Sequence, residues 1–162
     1  MQQQQAPTGW QHIGIDIGNP SASNTIIKLC NPYCSHCAQA HHILKELIRT
    51  KNNIYLKVIC AATNNEYDPS SNVVKHLLAI NQSGDKIYTL QALDDWYLSD
   101  KKDFQKFANK YPMNCELKQQ EEKIEAMSNW CKEAEIISTP TIFVNGRKLP
   151  ESYNIHDLKN IN

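Results

Sequence analysis

Two cysteines three positions apart, Cys34 and Cys37, lie where an apolar strand gives way to an amphipathic helix. Residues 25–30 have the composition of a short buried strand, and from Cys37 onward apolar side chains recur at helical spacing. A thiol at a helix start faces unpaired backbone amides and the positive end of the helix dipole, which favour thiolate over thiol. The thiolate is the attacking species in disulfide exchange. The sequence therefore predicts a redox protein in which Cys34 is the nucleophile.

The composition is that of one folded domain with no charge preference for a particular partner. The chain has 162 residues, of which 41% are hydrophobic, and its 17 basic and 17 acidic residues balance. This balance argues against a nucleic-acid partner and against a charged membrane surface. No apolar run in the sequence is long enough to span a bilayer. The six cysteines are too few for a disulfide-stapled scaffold, so they leave the compartment open.

The first residues form a glutamine-rich stretch with neither a basic start nor the apolar centre of a signal peptide. Two interpretations remain, which are a cytosolic protein and a part cut from a larger exported or membrane-attached parent. We expect residues 1–11 to be a disordered edge and residues 12–162 to form the domain.

The hydrophobic pattern of the first third predicts a strand, a helix and a strand. Strands are expected at 12–17, 25–30 and 54–60, and the helix that contains Cys37 is expected to run to about residue 50. A crossover of this length between neighbouring strands implies a parallel, right-handed unit.

Residues 68–135 differ in character, because their apolar positions have helical rather than strand periodicity. Asp68, Asp85 and Asp100 are candidate caps for three successive helices, and a longer helix is expected over residues 116–134. We interpret this block as a helical insertion into an α/β core.

Extended structure returns after the insertion. Asn145-Gly146 between two short extended runs is a strong signal for a two-residue hairpin, and Thr139-Pro140 lies just before it. A last short helix over residues 155–161 is expected to pack on the sheet.

A CxxC pair at a helix start, followed at a distance by Thr139-Pro140 and an Asn-Gly hairpin, resembles the thioredoxin superfamily. The resemblance implies an α/β thioredoxin-like fold with a central mixed sheet. The helical insertion would lie between its βαβ half and its C-terminal ββα half, which is similar to DsbA-like thiol oxidoreductases. The two motifs are most similar to bacterial thioredoxin-like domains that are fused to vitamin K epoxide reductase homologues.

The resemblance assigns catalytic roles to four residues of this chain. It implies that Cys34 is the exposed attacking sulfur and Cys37 the buried resolving one. Pro140 is expected to follow a cis peptide bond and to lie beside the pair, since a cis bond costs far less before proline. DsbA-like sites carry histidine where this chain has His36, and we expect His36 to stabilise the Cys34 thiolate. The alternative for His36 is a solvated loop residue without that role.

Three further residues are expected to contact the substrate. The backbone of Thr139 would bind the substrate chain as an added strand, and Tyr33 and Pro32 would shape the rim or serve only in packing. The resemblance implies no cofactor beyond the redox-active disulfide itself. The expected partners are protein or peptide thiols and a membrane redox partner like vitamin K epoxide reductase, and not nucleic acid.

The function that the resemblance implies is that of a protein dithiol–disulfide oxidoreductase. It would act outside the cytoplasm, in the periplasm or attached to a membrane, and it would oxidise rather than reduce its substrates. A disulfide reductase of the same fold and a peptide-binding module with redundant cysteines remain alternatives. A structural zinc site is another alternative, and its ligands would be Cys30, Cys34, Cys37 and His41, with His42 as a further candidate.

One position departs from the family pattern. Thioredoxins and DsbA-like proteins often carry a buried acid six residues before the first active cysteine, where this chain has Lys28. A charged lysine cannot accept the proton of the resolving thiol, whereas a nearby cation would favour the thiolate of either sulfur. The proton-transfer mechanism of the family is therefore not carried over to this chain.

The other cysteines have weaker assignments. Cys30 is expected to be a buried strand thiol or a third redox partner of Cys34, and Cys60 to be inert core. Cys115 and Cys131 would lie about 24 Å apart along one straight helix, which is too far for a disulfide.

Overall fold

The computed structural model describes residues 4–150 and 153–161. Within these ranges five strands form one mixed sheet in the order β1-β3-β2-β4-β5. They are β1 (Ile15–Gly18), β2 (Asn24–Cys30), β3 (Ile54–Cys60), β4 (Thr141–Val144) and β5 (Arg147–Lys148). The α-helices are α1 (Ser35–Thr50), α2 (Pro69–Gln82), α3 (Lys86–Tyr97), α4 (Phe104–Lys110) and α5 (Glu121–Glu133), and short 3₁₀ helices span Trp10–His12, Cys115–Gln120 and Ile155–Asn160. This is the predicted α/β architecture, with helices α2 to α5 inserted ahead of the last two strands.

The centre of the sheet is the predicted strand–helix–strand unit. Strands β2 and β3 are parallel, with Cys30 opposite Cys60, and α1 connects them. Strands β1 and β4 flank this pair in antiparallel orientation, which makes the sheet mixed. Except for Thr25, every residue of β2 is buried. Since a strand covered on both faces has a nearly continuous apolar sequence, Lys28 is the residue that stands out in it.

Helix α1 begins where its sequence provides a cap. Cys34 has an extended backbone, with φ −84° and ψ 121°, and its side chain accepts a hydrogen bond from the amide of Cys37. The helix then buries the apolar stripe that the sequence predicted, including Ala40, Leu44 and Leu47. Packing of this stripe holds the first turn of α1, and with it the two cysteines, at the carboxyl end of β2.

The insertion follows the predicted caps in part. Asp68 and Asp85 cap α2 and α3, as expected. The prediction that Asp100 caps the third helix is wrong, because the side chain of Asp103 accepts the capping bond from Lys106 and α4 begins at the next residue. None of the helices in the described part of the chain is long and apolar enough to cross a membrane.

The helix predicted over residues 116–134 is divided in two. Its first part is the 3₁₀ helix Cys115–Gln120, and the α-helical geometry of α5 begins at Glu121. The buried side chain of Gln120 donates a hydrogen bond to the carbonyl of Glu116 (2.9 Å) and another to the side chain of Gln82. The bond to Gln82 attaches this segment to α2, and the bond to Glu116 lies within the 3₁₀ turn. Hydrophobic periodicity alone does not predict either bond, so it does not predict the break between the two helices.

The hairpin has the geometry that Asn145-Gly146 predicts. Both residues have a positive φ, 51° for Asn145 and 87° for Gly146. A two-residue hairpin turn needs positive φ at both positions so that its twist matches that of the flanking strands. The side-chain oxygen of Asn145 also accepts a hydrogen bond from the amide of Thr25 at 2.8 Å. The last helix is a 3₁₀ helix rather than an α-helix, and Asn154 caps it.

The N-terminal segment differs from the expectation of a disordered edge over residues 1–11. Gln5 forms a bridge with Arg147 on the free side of β5, and the amide of Ala6 donates to the carbonyl of Gly146 at 2.7 Å. An edge strand presents unpaired backbone groups, and this segment satisfies them. Residues 1–3 lie outside the described residues. A 3₁₀ turn also takes the place of the start of the first predicted strand, so β1 begins at Ile15.

Candidate active site

Cys34 is partly exposed at the start of α1, and its sulfur has two polar neighbours. The backbone amide of Cys37 donates a hydrogen bond to Cys34 Sγ at 3.3 Å. The thiol of Cys34 in turn lies 3.5 Å from the carbonyl oxygen of Thr139, to which it donates. The sulfur of Cys34 is therefore held between the first turn of its helix and the loop that precedes β4.

These contacts determine the protonation of Cys34. Partial burial raises the pKa of its thiol, but hydrogen bonds with the side chains of Thr139 and Cys37 and with the backbone amides of Cys37 and His36 lower it by more. The pKa of Cys34 is thus below the ordinary value of a cysteine. A larger thiolate fraction at neutral pH follows, as the position at the helix start predicts.

Cys37 is the opposite kind of thiol. It is fully buried, and the amide of Asn31 donates a hydrogen bond to its sulfur at 3.4 Å. Burial raises the pKa of Cys37 to about 12, and the neighbouring sulfur of Cys30 contributes to this rise. The structure holds both Cys34 and Cys37 as free thiols. One turn of helix thus presents a partly exposed sulfur of lowered pKa and a buried one of raised pKa.

The proline loop closes over this pair. The peptide bond between Thr139 and Pro140 is cis, and the carbonyl of Thr139 faces Cys34. The side chain of Thr141 anchors the loop by donating to the carbonyl of Ser138 at 2.7 Å. The fold therefore brings the Thr139-Pro140 loop next to the CxxC pair, although the pair lies more than a hundred positions earlier in the sequence.

A surface groove of about 350 Å³ begins at this loop and runs between α1 and the C-terminal segment. Its walls include His36 and Gln39 from α1, Pro140 from the loop, and Leu149 and Tyr153 beyond the hairpin. His36 is exposed, and its side chain contributes to the groove beside Cys34. The groove therefore presents both apolar and polar groups beside the CxxC turn.

Pro32 and Tyr33 connect the CxxC turn to the helical insertion. Pro32 is buried, and its carbonyl accepts a 2.7 Å hydrogen bond from the indole of Trp96 in α3. Tyr33 is 41% exposed and packs edge-to-face on the same indole, with ring centroids 5.4 Å apart. Tyr33 is thus exposed beside the CxxC turn, whereas Pro32 is buried and supports the turn from below, which is the packing role that the sequence left open.

Trp96 is the site-forming residue that the sequence analysis missed. Its only signal was a place in the apolar periodicity of α3, which predicts a core position and no contact with the CxxC turn. The contact exists because α3 packs against α1, and nothing local in the sequence specifies that pairing.

The predicted zinc site is not assembled. His41 Nε2 is 2.7 Å from a carboxylate oxygen of Asp94, and the His41 ring stacks on Tyr97. The sulfur of Cys30 accepts a hydrogen bond from the hydroxyl of Tyr97 at 3.1 Å. Among the residues described by the structure, no group of three or more His, Cys, Asp or Glu side chains is arranged to hold a metal ion. His42 is exposed on the outer face of α1.

The sequence family and the solved structures agree with this geometry. The family described as Thioredoxin matches residues 11–161, and the chain belongs to that family. No curated protein matches the sequence significantly. The solved structures discussed next share less than a quarter of their residues with this chain, so they show the similarity of the fold.

Three solved structures illustrate that similarity. The thiol-disulfide exchange protein alpha-DsbA2 from Wolbachia pipientis has a TM-score of 0.71 and 16% identity, over 90% of this chain and 83% of its own. Oxidised BdbD from Bacillus subtilis has a TM-score of 0.68 and 15% identity, over 96% and 91%. A periplasmic thioredoxin-like protein from Salmonella enterica serovar Typhimurium has a TM-score of 0.66 and 12% identity, over 90% and 88%.

Proposed function

We propose that this protein is a thiol–disulfide oxidoreductase that exchanges a Cys34–Cys37 disulfide with the thiols of other proteins. One observation carries the proposal: a single helical turn holds a partly exposed thiol of lowered pKa, in contact with the loop of Pro140, and a buried thiol of raised pKa. The Wolbachia protein of the same fold is described as a thiol-disulfide exchange protein, which supports this choice.

In the proposed reaction, a substrate thiolate attacks Cys34 of the oxidised protein. A substrate–Cys34 disulfide forms, the Cys34–Cys37 bond breaks, and Cys37 leaves as a thiolate that takes up a proton. A second substrate thiol, as its thiolate, then attacks the substrate sulfur of the mixed disulfide and releases Cys34 as a thiolate. Two electrons pass from the substrate to the protein, and the substrate gains a disulfide.

We propose oxidation as the physiological direction. A thiolate stabilised at Cys34 favours the reduced form of the protein, so its disulfide is readily transferred to a substrate. Reduction of substrate disulfides by the same cysteines is the alternative. An electron acceptor must restore the disulfide after each cycle, and a membrane partner like vitamin K epoxide reductase is the proposed one.

The proposed substrate is an extended polypeptide. The carbonyl of Thr139 faces Cys34, and the backbone of this residue is the proposed site for pairing with the substrate chain. Tyr33 on one side and the groove beside His36 on the other would contact residues that flank the substrate cysteine. We place the reaction outside the cytoplasm, the compartment in which disulfides persist, and the periplasmic Salmonella protein of similar fold supports this.

The ionisation of Cys34 is the first prediction. The difference between the ultraviolet titrations of reduced wild type and reduced Cys34→Ala should show a thiolate transition below the pH of an ordinary cysteine, because hydrogen bonds outweigh burial at this sulfur. If His36 stabilises the thiolate, His36→Ala moves the transition to higher pH. His42→Ala, which removes an exposed histidine six residues further along α1, should leave it unchanged. Overlaying curves for wild type and His36→Ala would exclude the role of the His36 side chain.

The reduction potential is the second prediction, and it tests the proposed function. Equilibration with reduced and oxidised glutathione should give a reversible two-electron transition closer to about −120 mV than to about −270 mV, the values of an oxidising and a reducing thioredoxin-fold protein. A value near the second would assign the protein to the reductases. The absence of any transition would contradict a redox role altogether.

A further inference from the structure

A lysine lies fully buried in the middle of the sheet, directly beneath the CxxC turn. Lys28 in β2 is 1% exposed, and its ammonium group donates a 3.0 Å hydrogen bond to the carbonyl of Cys37. The same ammonium lies 4.6 Å from the centre of the Tyr97 ring. Among the described residues it takes part in no ion pair with a carboxylate. A buried charge without a counter-ion is costly, so its environment must supply negative charge or dipoles.

The carboxylate that contacts His41 is already engaged by other groups. Asp94 is bound by Lys45 at 2.9 Å and by His41 at 2.7 Å. Burial lowers the pKa of His41 to about 4, and the charge of Lys28 adds to this, so His41 is neutral at pH 7 and brings no second positive charge. Burial raises the pKa of the Tyr97 hydroxyl well above its usual value, so this neighbour of Lys28 stays neutral and the groups near Lys28 that can become negative are thiols.

The cysteines near Lys28 are Cys37, whose carbonyl it contacts, and Cys30 and Cys60, on whose thiols its charge acts. Cys30 lies two positions along the same strand and on the same face, and Tyr97 contacts both its sulfur and the Lys28 ammonium. Contact with Cys60 lowers the pKa of Cys30, burial opposes this, and the charge of Lys28 lowers it further. The charge of Lys28 therefore acts on the sulfur of Cys30. Its ammonium group contacts Cys37 through the hydrogen bond to the Cys37 carbonyl.

We propose that Lys28 is a positioning residue whose buried positive charge stabilises the reduced form of the CxxC pair and so raises its reduction potential. This inference rests on the proposed function. The closed disulfide is uncharged, whereas its opening by two electrons leaves a thiolate at Cys34 and a thiol at Cys37 after uptake of one proton. A fixed cation nearby stabilises the charged product and not the uncharged disulfide.

The chain provides a matched control for this charge. Lys57 in β3 is also buried, 3% exposed, and its ammonium donates to the carbonyl of Gln11 at 3.3 Å. It lies opposite Ile27, so its side chain points to the face of the sheet away from Lys28. Lys57→Met thus removes a buried lysine of the same sheet without removing charge from the CxxC face.

The test is the glutathione equilibrium of Lys28→Met, Lys28→Gln and Lys28→Arg beside Lys57→Met. We expect both neutral replacements of Lys28 to reduce the equilibrium constant for oxidation of glutathione about tenfold, which corresponds to about 30 mV. Lys28→Arg and Lys57→Met should stay within a factor of about two of the wild type. Two neutral variants of Lys28 are used so that the result still stands if one of the two variants fails to fold. Replacement of a buried charge by a neutral side chain is compatible with folding.

A second comparison separates direct action from action through Cys30. In a Cys30→Ala background, Lys28→Met should still lower the equilibrium constant about tenfold, because the charge acts on the CxxC pair itself. Loss of the effect in that background would overturn the inference. So would neutral Lys28 variants with the wild-type constant. A wild-type protein that fails to exchange with glutathione would instead contradict the proposed function, so the two failures are distinguishable.

Discussion

Replacement of Cys34 by alanine is expected to abolish disulfide exchange. The buried sulfur of Cys37, with its pKa raised to about 12, cannot take over the role of the attacking group. We expect the rate of oxidation of a reduced two-cysteine peptide to fall at least about a thousandfold, the scale of loss when a nucleophile is removed. The measurement is the appearance of the peptide disulfide by mass spectrometry, with oxidised protein supplied in excess.

Two other cysteines provide the control for this prediction. Cys115 is an exposed free thiol and Cys131 a partly buried one, and neither belongs to the site. Cys115→Ala and Cys131→Ala should retain the wild-type rate. Activity that survives in Cys34→Ala but is lost in either control would move the reactive centre elsewhere. Peptide binding by Cys34→Ala at wild-type affinity, together with an inactive wild type, would favour the peptide-binding alternative.

Truncation of Trp96 is expected to have the largest effect on stability. Its indole is 2% exposed, packs against Phe107 with ring centroids 5.5 Å apart, and donates to the carbonyl of Pro32. Trp96→Ala removes this packing and leaves a buried acceptor unpaired, so we expect a loss of about 3–5 kcal/mol in the free energy of unfolding. Chemical denaturation monitored by circular dichroism gives this value directly.

Trp96→Phe separates the two contributions. Phenylalanine keeps much of the packing but cannot donate to Pro32, so a smaller loss of about 1–3 kcal/mol is expected. The indole also supports the ring of Tyr33 at the rim, and Trp96→Ala should therefore slow peptide oxidation even where the protein is folded. A Trp96→Ala protein within about 1 kcal/mol of the wild type would show that α3 does not support the CxxC turn.

The parts of the molecule that the sequence predicted are those with local signals. Cys34 caps α1, Asp68 and Asp85 begin two helices, and Asn145-Gly146 forms the hairpin turn. Each depends on the chemistry of a few adjacent residues. The position of Pro140 beside the CxxC pair was predicted only through the family resemblance, because no local pattern connects residues so far apart.

The parts that were missed depend on contacts between distant segments. The bond from Trp96 to Pro32 joins residues 64 positions apart, and the bridge from Gln5 to Arg147 joins residues 142 positions apart. Apolar periodicity predicts that such residues are buried or exposed but does not identify their neighbours. Lys28 was recognised as unusual from the sequence, whereas its contact with the Cys37 carbonyl required the structure.

Peptide mapping after equilibration with glutathione tests the central claim most directly. The protein is brought to equilibrium at several glutathione ratios, its free thiols are blocked, and its peptides are identified by mass spectrometry without reduction. We predict one intramolecular disulfide, between Cys34 and Cys37, that forms and disappears reversibly as the ratio changes. Cys34 and Cys37 that remain unlinked at every ratio, or a Cys34 that pairs with another residue instead, would contradict the account.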